Sequence, residues 1–269
     1  MEKTIGFIGG GNICKAVVSG LIKSGYAKAG QIYISDVNKE ALGVLQQELG
    51  VNVSGNNCQV AAKSDILVLA VKPGLYSTVI KEIEAEVTPE CVVVSVAAGQ
   101  TLEAVQEMFG GKRKIVRVLP NTPALVGEGM SAIAENPQVS RQERDEIIEM
   151  FSCCGKAVLM PENLFDAVIA ASSSAPAYAF VFIEAMADAA VAEGMPRAQA
   201  YTFCAQTLLG SAKMVLETQK HPAELKDMVC SPGGTTIAAV EALEAGGFRA
   251  AVQQAMKAAA QKSRDMQKK

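Results

Sequence analysis

Two stretches of this sequence combine residue types that hold anions. The first is Gly9-Gly10-Gly11, set between the apolar run Ile5-Gly6-Phe7-Ile8 and a helix-like stretch that opens at Asn12. Glycines at a strand-to-helix turn let the backbone approach a pyrophosphate, and the N–H groups at the positive end of the following helix favour its charge. Gly9 and Gly11 satisfy the GxGxxG spacing, but Cys14 stands at the third glycine position. Taken alone, the turn also reads as a structural glycine turn. The second stretch is Ser231-Pro232-Gly233-Gly234-Thr235-Thr236, directly ahead of Ile237-Ala238-Ala239-Val240. Helix N-terminal N–H groups near Thr235 and Thr236, with the Ser231 hydroxyl, could hold a carboxylate without any arginine. The plainer alternative is a serine- or threonine-capped helix after a proline-glycine turn.

The elements that must position the first stretch follow in order. A helix from Asn12 to about Gly25 leads to a strand, Gln31 to Ser35, that ends at Asp36, where the dinucleotide fingerprint expects an acid for the adenosine ribose. A helical segment from Asn38 to Gly50 comes next, then short branched runs at Ile66 to Val71 and Cys91 to Val96, and a strand at Lys114 to Leu119. Such runs read as buried parallel strands, and their alternation with helices predicts an α/β, doubly wound, Rossmann-type parallel sheet. Its ligand would sit beyond the carboxyl ends of the strands, at Ala70-Val71-Lys72-Pro73, Ala97-Ala98-Gly99 and Pro120-Asn121-Thr122-Pro123.

The character changes near Met160-Pro161, and the rest reads as helix alone, giving two expected domains, 1–160 and 161–269. Helical spans are Pro161 to Gly194, Pro196 to Lys220, His221-Pro222 to about Cys230, Thr235 to Ala245, and a last one from Phe248. Small residues such as Ala185, Ala187, Ala189 and Ala190 occur around most of their helix, which predicts burial on several sides and an obligate dimer built from these helices.

Composition fits a soluble protein of the cytoplasm: 269 residues, 49% hydrophobic, 20% charged, net charge −3. With no basic tract and no apolar span read as long enough to cross a bilayer, neither nucleic acid nor membrane is expected as a partner. A signal peptide is not expected either, because strand and glycine turn follow Lys3 at once. The seven cysteines are scattered without a CxxC spacing, so neither a disulfide framework nor a metal site is expected.

Along essentially its whole length the chain resembles the pyrroline-5-carboxylate reductases. The residues that carry the resemblance are Ser231 to Thr236 with the preceding Glu224-Leu225-Lys226-Asp227, Gly9-Gly10-Gly11-Asn12, Ala70-Val71-Lys72-Pro73, Arg117 to Pro123, and Pro176-Ala177-Tyr178. Two positions depart from the family pattern. Ser172-Ser173-Ser174-Ala175 stands where Ser-Gly-Ser is common, and Cys14 replaces a small residue.

The resemblance implies reduction of 1-pyrroline-5-carboxylate to L-proline by hydride from NADPH or NADH, the last step of proline synthesis. It implies that Ser231, Gly234 and the amides of Thr235 and Thr236 bind the substrate carboxylate. The Thr236 hydroxyl would meet the ring nitrogen, and Glu162 would lie on the substrate side. Thr236 and Ser231 would thus be the catalytic pair. For the cofactor it implies Ile8, Gly9, Gly10, Gly11, Asn12, Ile13, Asp36, Asn57, Ala70, Val71, Lys72, Pro73 and Ala98. A carboxylate at Asp36 favours the ribose 2′-hydroxyl of NADH, while Lys39 could turn to a 2′-phosphate, so the preference stays open. The resemblance also implies intertwined dimers, and rings of five dimers.

Two rival readings remain. A β-hydroxyacid dehydrogenase of similar layout would need a lysine base, Lys213 or Lys226, and a nucleotide-sensing module would have no use for the cradle at Ser231 to Thr236. The sole histidine, His221, precedes Pro222 at a helix start, where capping is its expected duty.

Overall fold

The structure is a computed structural model that describes residues 3–267. It opens with β1 (Ile5–Ile8), α1 (Asn12–Lys23), β2 (Ile32–Ser35), α2 (Lys39–Leu49), β3 (Asn52–Ser54), α3 (Asn57–Ala61) and β4 (Ile66–Leu69). There follow α4 (Tyr76–Ile83), β5 (Val92–Ser95), α5 (Leu102–Met108), β6 (Lys114–Leu119), β7 (Gly129–Glu135), α6 (Arg141–Ser152) and β8 (Gly155–Leu159). Among the described residues the elements after β8 are all helical: α7 (Phe165–Val168), a π-helical turn (Ile169–Ser173), α8 (Ala175–Ala192), α9 (Arg197–Thr218), α10 (Pro222–Val229), α11 (Thr235–Ala245) and α12 (Phe248–Gln267).

By packing, the chain forms two compact units. One runs up to Ser174 and is rejoined by the chain from Ala259; the other is Ala175–Ala258. The first is built on an eight-stranded sheet of order β3-β2-β1-β4-β5-β6-β7-β8. Strands β1 to β6 are parallel to one another, as the branched runs imply. Strand β7 pairs antiparallel with β6, and β8 pairs parallel with β7. These last two strands escape sequence reading because Gly129–Glu135 and Gly155–Leu159 carry glycine, serine and lysine rather than a continuous branched run. Of the two, only β8 is at the sheet edge, where the demand for residues buried on both faces relaxes; β7 is largely buried between β6 and β8 but reaches this with small residues.

Alternate residues of each central strand enter opposite cores. Ile66 and Val68 pack with Ile5, Phe7, Val92 and Val94 on one face, while Leu67 and Leu69 pack with Val93, Tyr76 and Ile80 on the other. That two-sided burial explains why the strands read as apolar runs instead of alternating patterns. In register across the carboxyl ends lie Ser35, Ile8, Leu69, Ser95 and Arg117, a line that places the loops after β2, β1, β4 and β5 along one edge.

The second unit has a small core of its own, centred on Ala187, Ala200 and Cys204. Large apolar side chains stay exposed instead, among them Phe180 and Phe203 at 63% and Leu216 at 57%. So much exposed apolar surface is unusual for a monomer and marks an association surface. One reading from sequence needs correction. Glu162–Ala192 forms a helical run of 31 residues whose best window has a mean hydropathy of 1.4, so by length and composition alone it could cross a bilayer. The reason is near-continuity: α7, the π turn and α8 follow one another with only Ser174 between the last two, although Ser172 to Pro176 interrupts the apolar pattern in sequence.

Candidate active site

The glycine turn is shaped by the strands it leaves. Gly9 has φ +104, and a β-carbon there would lie 2.6 Å from the Ala70 carbonyl oxygen at the end of β4. No other residue type fits that backbone and that contact. Gly11 is different: a β-carbon on it would meet nothing within 4 Å, so its open side faces solvent rather than protein. Gly11 is also the N-cap of α1 and makes no side-chain capping bond. The first turn of that helix therefore presents N–H groups at its positive end to whatever fills the space, as a pyrophosphate requires.

Opposite the turn stands Asp36. One carboxylate oxygen accepts from the Gly10 amide at 2.7 Å and the other from the Asn38 amide at 2.8 Å. Asp36 thus ties the glycine turn to the start of α2, where Asn38 caps Glu40 and Ala41. Asn57 is fixed from two sides: its Oδ1 accepts from Ser35 Oγ at 2.8 Å, and its Nδ2 donates to Glu82 at 2.9 Å.

These residues converge. One cleft of about 420 Å³ is lined by Ile8, Gly9, Gly11, Asp36, Asn57, Ala70, Val71 and Lys72, all expected from sequence. Ser35, Val37, Leu75 and Val79 complete the lining and were not expected. Val37 carried a signal, as an apolar residue directly after the acid in a polar turn; it is 97% exposed. Gly10, Asn12, Ile13, Pro73 and Ala98 lie outside that lining. Gly10 is bound by Asp36, Asn12 opens α1, and Ile13 packs on the core under the sheet. Pro73 accepts from Gln100 at 3.4 Å, which links the loop after β4 to the loop after β5 that carries Ala98.

Cys14 is fully buried in the core. Burial first, and the Asp36 charge second, push its thiol far above the ordinary range, so it is a neutral apolar filler. Ser173, the other departure, has a buried hydroxyl with no hydrogen-bond partner, in the π-helical turn.

Glu162 is held at the sheet end. Its Oε1 accepts from the Leu102 amide and from Arg117 Nη1, each at 2.8 Å. Arg117 is 1% exposed and stacks over the Phe165 ring at 4.7 Å. The carboxylate at the first amide of α5 suits the helix's positive end, and the guanidinium compensates it.

In the second unit, Gly233 has φ +67 and Gly234 is the N-cap of α11, with its amide bonded to the Ser231 carbonyl at 3.0 Å. No side-chain capping bond closes this helix start. The serine- or threonine-capped alternative is therefore not what folds here. Thr235 and Thr236 open the helix with their amides at its positive end, a geometry suited to a carboxylate. His221 does cap α10, its Nδ1 accepting from the Ala223 amide at 3.2 Å. Both lysines that could serve the hydroxyacid reading as base are paired on the surface, Lys213 with Glu217 at 3.5 Å and Lys226 with Asp227 at 2.9 Å. Among the described residues, no group of three or more metal-ligating side chains is found.

Comparison with known proteins agrees with both halves. A family model described as pyrroline-5-carboxylate reductase dimerisation matches residues 162–266, and one described as NADP oxidoreductase, coenzyme F420-dependent, matches residues 4–99. The chain is 49% identical over 268 residues to a pyrroline-5-carboxylate reductase of Escherichia coli (strain K12), covering 100% of both. It is 46% identical to one of Methanosarcina acetivorans, over 100% of this chain and 99% of the relative. Among solved structures, a pyrroline-5-carboxylate reductase from Coxiella burnetii superposes with a TM-score of 0.91 at 32% identity, covering 99% of each chain. The Plasmodium falciparum pyrroline carboxylate reductase with NADP bound gives 0.90 at 31%, over 99% of this chain and 98% of that one. With a glycine turn, an acid at the end of β2 and uncapped helix starts in place, and with identity of this extent over its full length, the chain belongs to the pyrroline-5-carboxylate reductase family.

Proposed function

We infer that this chain reduces 1-pyrroline-5-carboxylate to L-proline with NAD(P)H, the final step of proline biosynthesis. The observation that carries this is full-length identity to reductases named for that substrate. When bound, the reduced nicotinamide supplies a hydride from its C4 to the imine carbon.

The residues present suit a dinucleotide. Gly9, Gly10 and Gly11 with Asn12 and Ile13 hold the pyrophosphate at the start of α1, and Ile8, Asp36 and Asn57 border the adenosine side. Ala70, Val71, Lys72, Pro73 and Ala98 form the nicotinamide side. On the substrate side, Ser231, Gly234 and the Thr235 and Thr236 amides hold the carboxylate, and the Thr236 hydroxyl meets the ring nitrogen. Glu162 serves that side indirectly, as a positioning residue. A protonated imine is already electrophilic, so these residues mainly orient the ring and exclude water.

We assign residues 1–160 to dinucleotide binding and 161–269 to dimerisation and substrate binding. The exposed apolar side chains of α8 and α9 support a homodimer, and the resemblance to the reductases is what supports a ring of five dimers. The enzyme works in the cytoplasm, without nucleic acid or membrane as partner. The net charge of −3 and the lack of a basic tract support the exclusion of nucleic acid.

The test is loss of reduced-nicotinamide absorbance on adding pyrroline-5-carboxylate, with NADH and NADPH in parallel and a control lacking the imine. Substrate-dependent oxidation that yields proline is expected. No oxidation from a folded protein that still binds dinucleotide would overturn the assignment.

A further inference from the structure

The last turn of α12 belongs to the first unit, where it ends beside the loop after β5. Ser263 is 4% exposed, and its hydroxyl donates to Asp166 Oδ1 at 2.6 Å. Gln267 Nε2 donates to the same oxygen at 2.9 Å. One carboxylate at the start of α7 thus grips the turn at two points, four residues apart, on one helix face. The side chain between them, Met266, covers Gly99. A β-carbon on Gly99 would lie 3.5 Å from Met266 Cβ and 3.8 Å from its Cε.

Gly99 has φ +80 and belongs to the segment 96–101 that carries Ala98. That segment is fastened at two further points and again at Leu102, the residue after it. Tyr76 Oη accepts from the Ala97 amide at 3.2 Å, Gln100 reaches the Pro73 carbonyl, and Glu162 holds the Leu102 amide. Met266 is the contact on the glycine itself, the one residue of the loop with neither a side chain of its own nor a preferred backbone to hold it in place.

We propose that Ser263 and Met266 are positioning residues for dinucleotide binding, with Asp166 clamping the last turn of α12 so that Met266 fixes the loop after β5 against the nicotinamide side. This rests on the cofactor reading above. Sliding or fraying of that turn translates into a looser cofactor site, because ordering of the loop must then be supplied at binding.

The experiment uses the full-length enzyme. Ser263→Ala, Ser263→Thr and Met266→Ala are compared with wild type in dinucleotide affinity by calorimetry, in KM for the dinucleotide and for the imine, in kcat, and in melting temperature. Ser263→Ala and Met266→Ala are expected to weaken dinucleotide binding and raise its KM by about fivefold, with KM for the imine unchanged. Ser263→Thr, which keeps the hydroxyl, is expected to restore wild-type affinity. Met266→Ala leaves both Asp166 bonds in place, so it answers the question if Ser263→Ala does not fold. Equal dinucleotide affinity in folded variants, with only the melting temperature lowered, would overturn the proposal and leave the cofactor reading standing. If the wild type itself binds neither dinucleotide, the cofactor reading falls and this proposal falls with it.

Discussion

The Gly10 amide donates to the Asp36 carboxylate across 2.7 Å, so the acid at the end of β2 is a brace for the glycine turn as well as a lining of the cleft. Both of its oxygens are engaged by backbone amides, which fixes the carboxylate at the mouth of the cleft proposed to take the dinucleotide. A fixed carboxylate accepts from a ribose 2′-hydroxyl and repels a 2′-phosphate. Asp36→Ser is therefore expected to shift the ratio of kcat/KM values toward NADPH by about tenfold, or ~1.4 kcal/mol. Because the brace is weakened as well, absolute affinity for both cofactors should fall. An unchanged ratio in steady-state assays would show that the carboxylate does not face the ribose.

Thr235 and Thr236 are adjacent at the start of α11, and the helix carries no side-chain cap. Their amides are kept in every variant but proline, so replacing the hydroxyl by a methyl isolates the side chain's duty. Thr236→Val is expected to cut kcat by about a hundredfold, in line with loss of one positioned proton-transfer or hydrogen-bonding group, while Thr235→Val stays within a few fold. Equal loss at both positions would remove Thr236 from contact with the imine nitrogen.

How far the sequence discloses this protein varies with the kind of residue. The strands β1, β2, β4, β5 and β6 are legible because burial on both faces forces branched apolar residues into continuous runs. The cleft is legible where backbone chemistry demands glycine, as at Gly9, or where a charge stands at a strand end, as at Asp36. Side-chain partnerships between distant segments are not. Nothing local in Arg117 or Glu162 announces that they lie 2.8 Å apart, 45 residues away in sequence. The clamp of Asp166 on Ser263, across 97 residues, is invisible for the same reason. Val37 and Leu75 were missed because an exposed apolar residue in a loop has many ordinary explanations.

The Arg117–Glu162 pair invites a stability test. Arg117 is buried, and removal of its partner would leave a guanidinium with only the Phe165 ring. Breaking such a pair from one side leaves an uncompensated charge. Glu162→Gln keeps an acceptor for the Leu102 amide but removes the compensating charge, and it should lower stability by about 2 kcal/mol, or ~4–8 °C in melting temperature. Glu162→Gln combined with Arg117→Met should recover much of that loss. Thermal unfolding of the single and double variants checks this, and an additive double variant would show that the two side chains are not coupled.

Tyr76 joins the ends of two strands in one buried phenol. It donates to the Leu69 carbonyl at 2.7 Å and accepts from Ser95 Oγ and the Ala97 amide, each at 3.2 Å. Burial pushes its pKa up to about 12, although the bonds from Ser95 and Ala97 and the nearby Arg117 charge oppose the rise. Tyr76→Phe would strand the Ala97 amide beside the cofactor loop, at a cost of about 1–3 kcal/mol. Urea unfolding should show that loss with an unchanged slope, and no loss would mean that water replaces the phenol.

Acid sensitivity should centre on Glu143. Partial burial alone would raise its carboxyl, but hydrogen bonds from Lys114 and Ser140 outweigh burial and hold it below the ordinary carboxylate range. Lys114 Nζ lies 2.8 Å away, and its own pKa is raised by the bonds to Glu143 and Glu90. A carboxyl whose folded pKa is depressed contributes stability that is fully present above its unfolded pKa and is lost as pH falls through the folded one. The stability of the wild type should therefore drain on acidification from the ordinary carboxylate range downward. Glu143→Gln, which also weakens the Ser140 capping box of α6, should be less stable at neutral pH by about 1 kcal/mol and should lose less on going to low pH. Chemical unfolding at a series of pH values measures the two slopes, and parallel slopes would place the acid-sensitive carboxylate elsewhere.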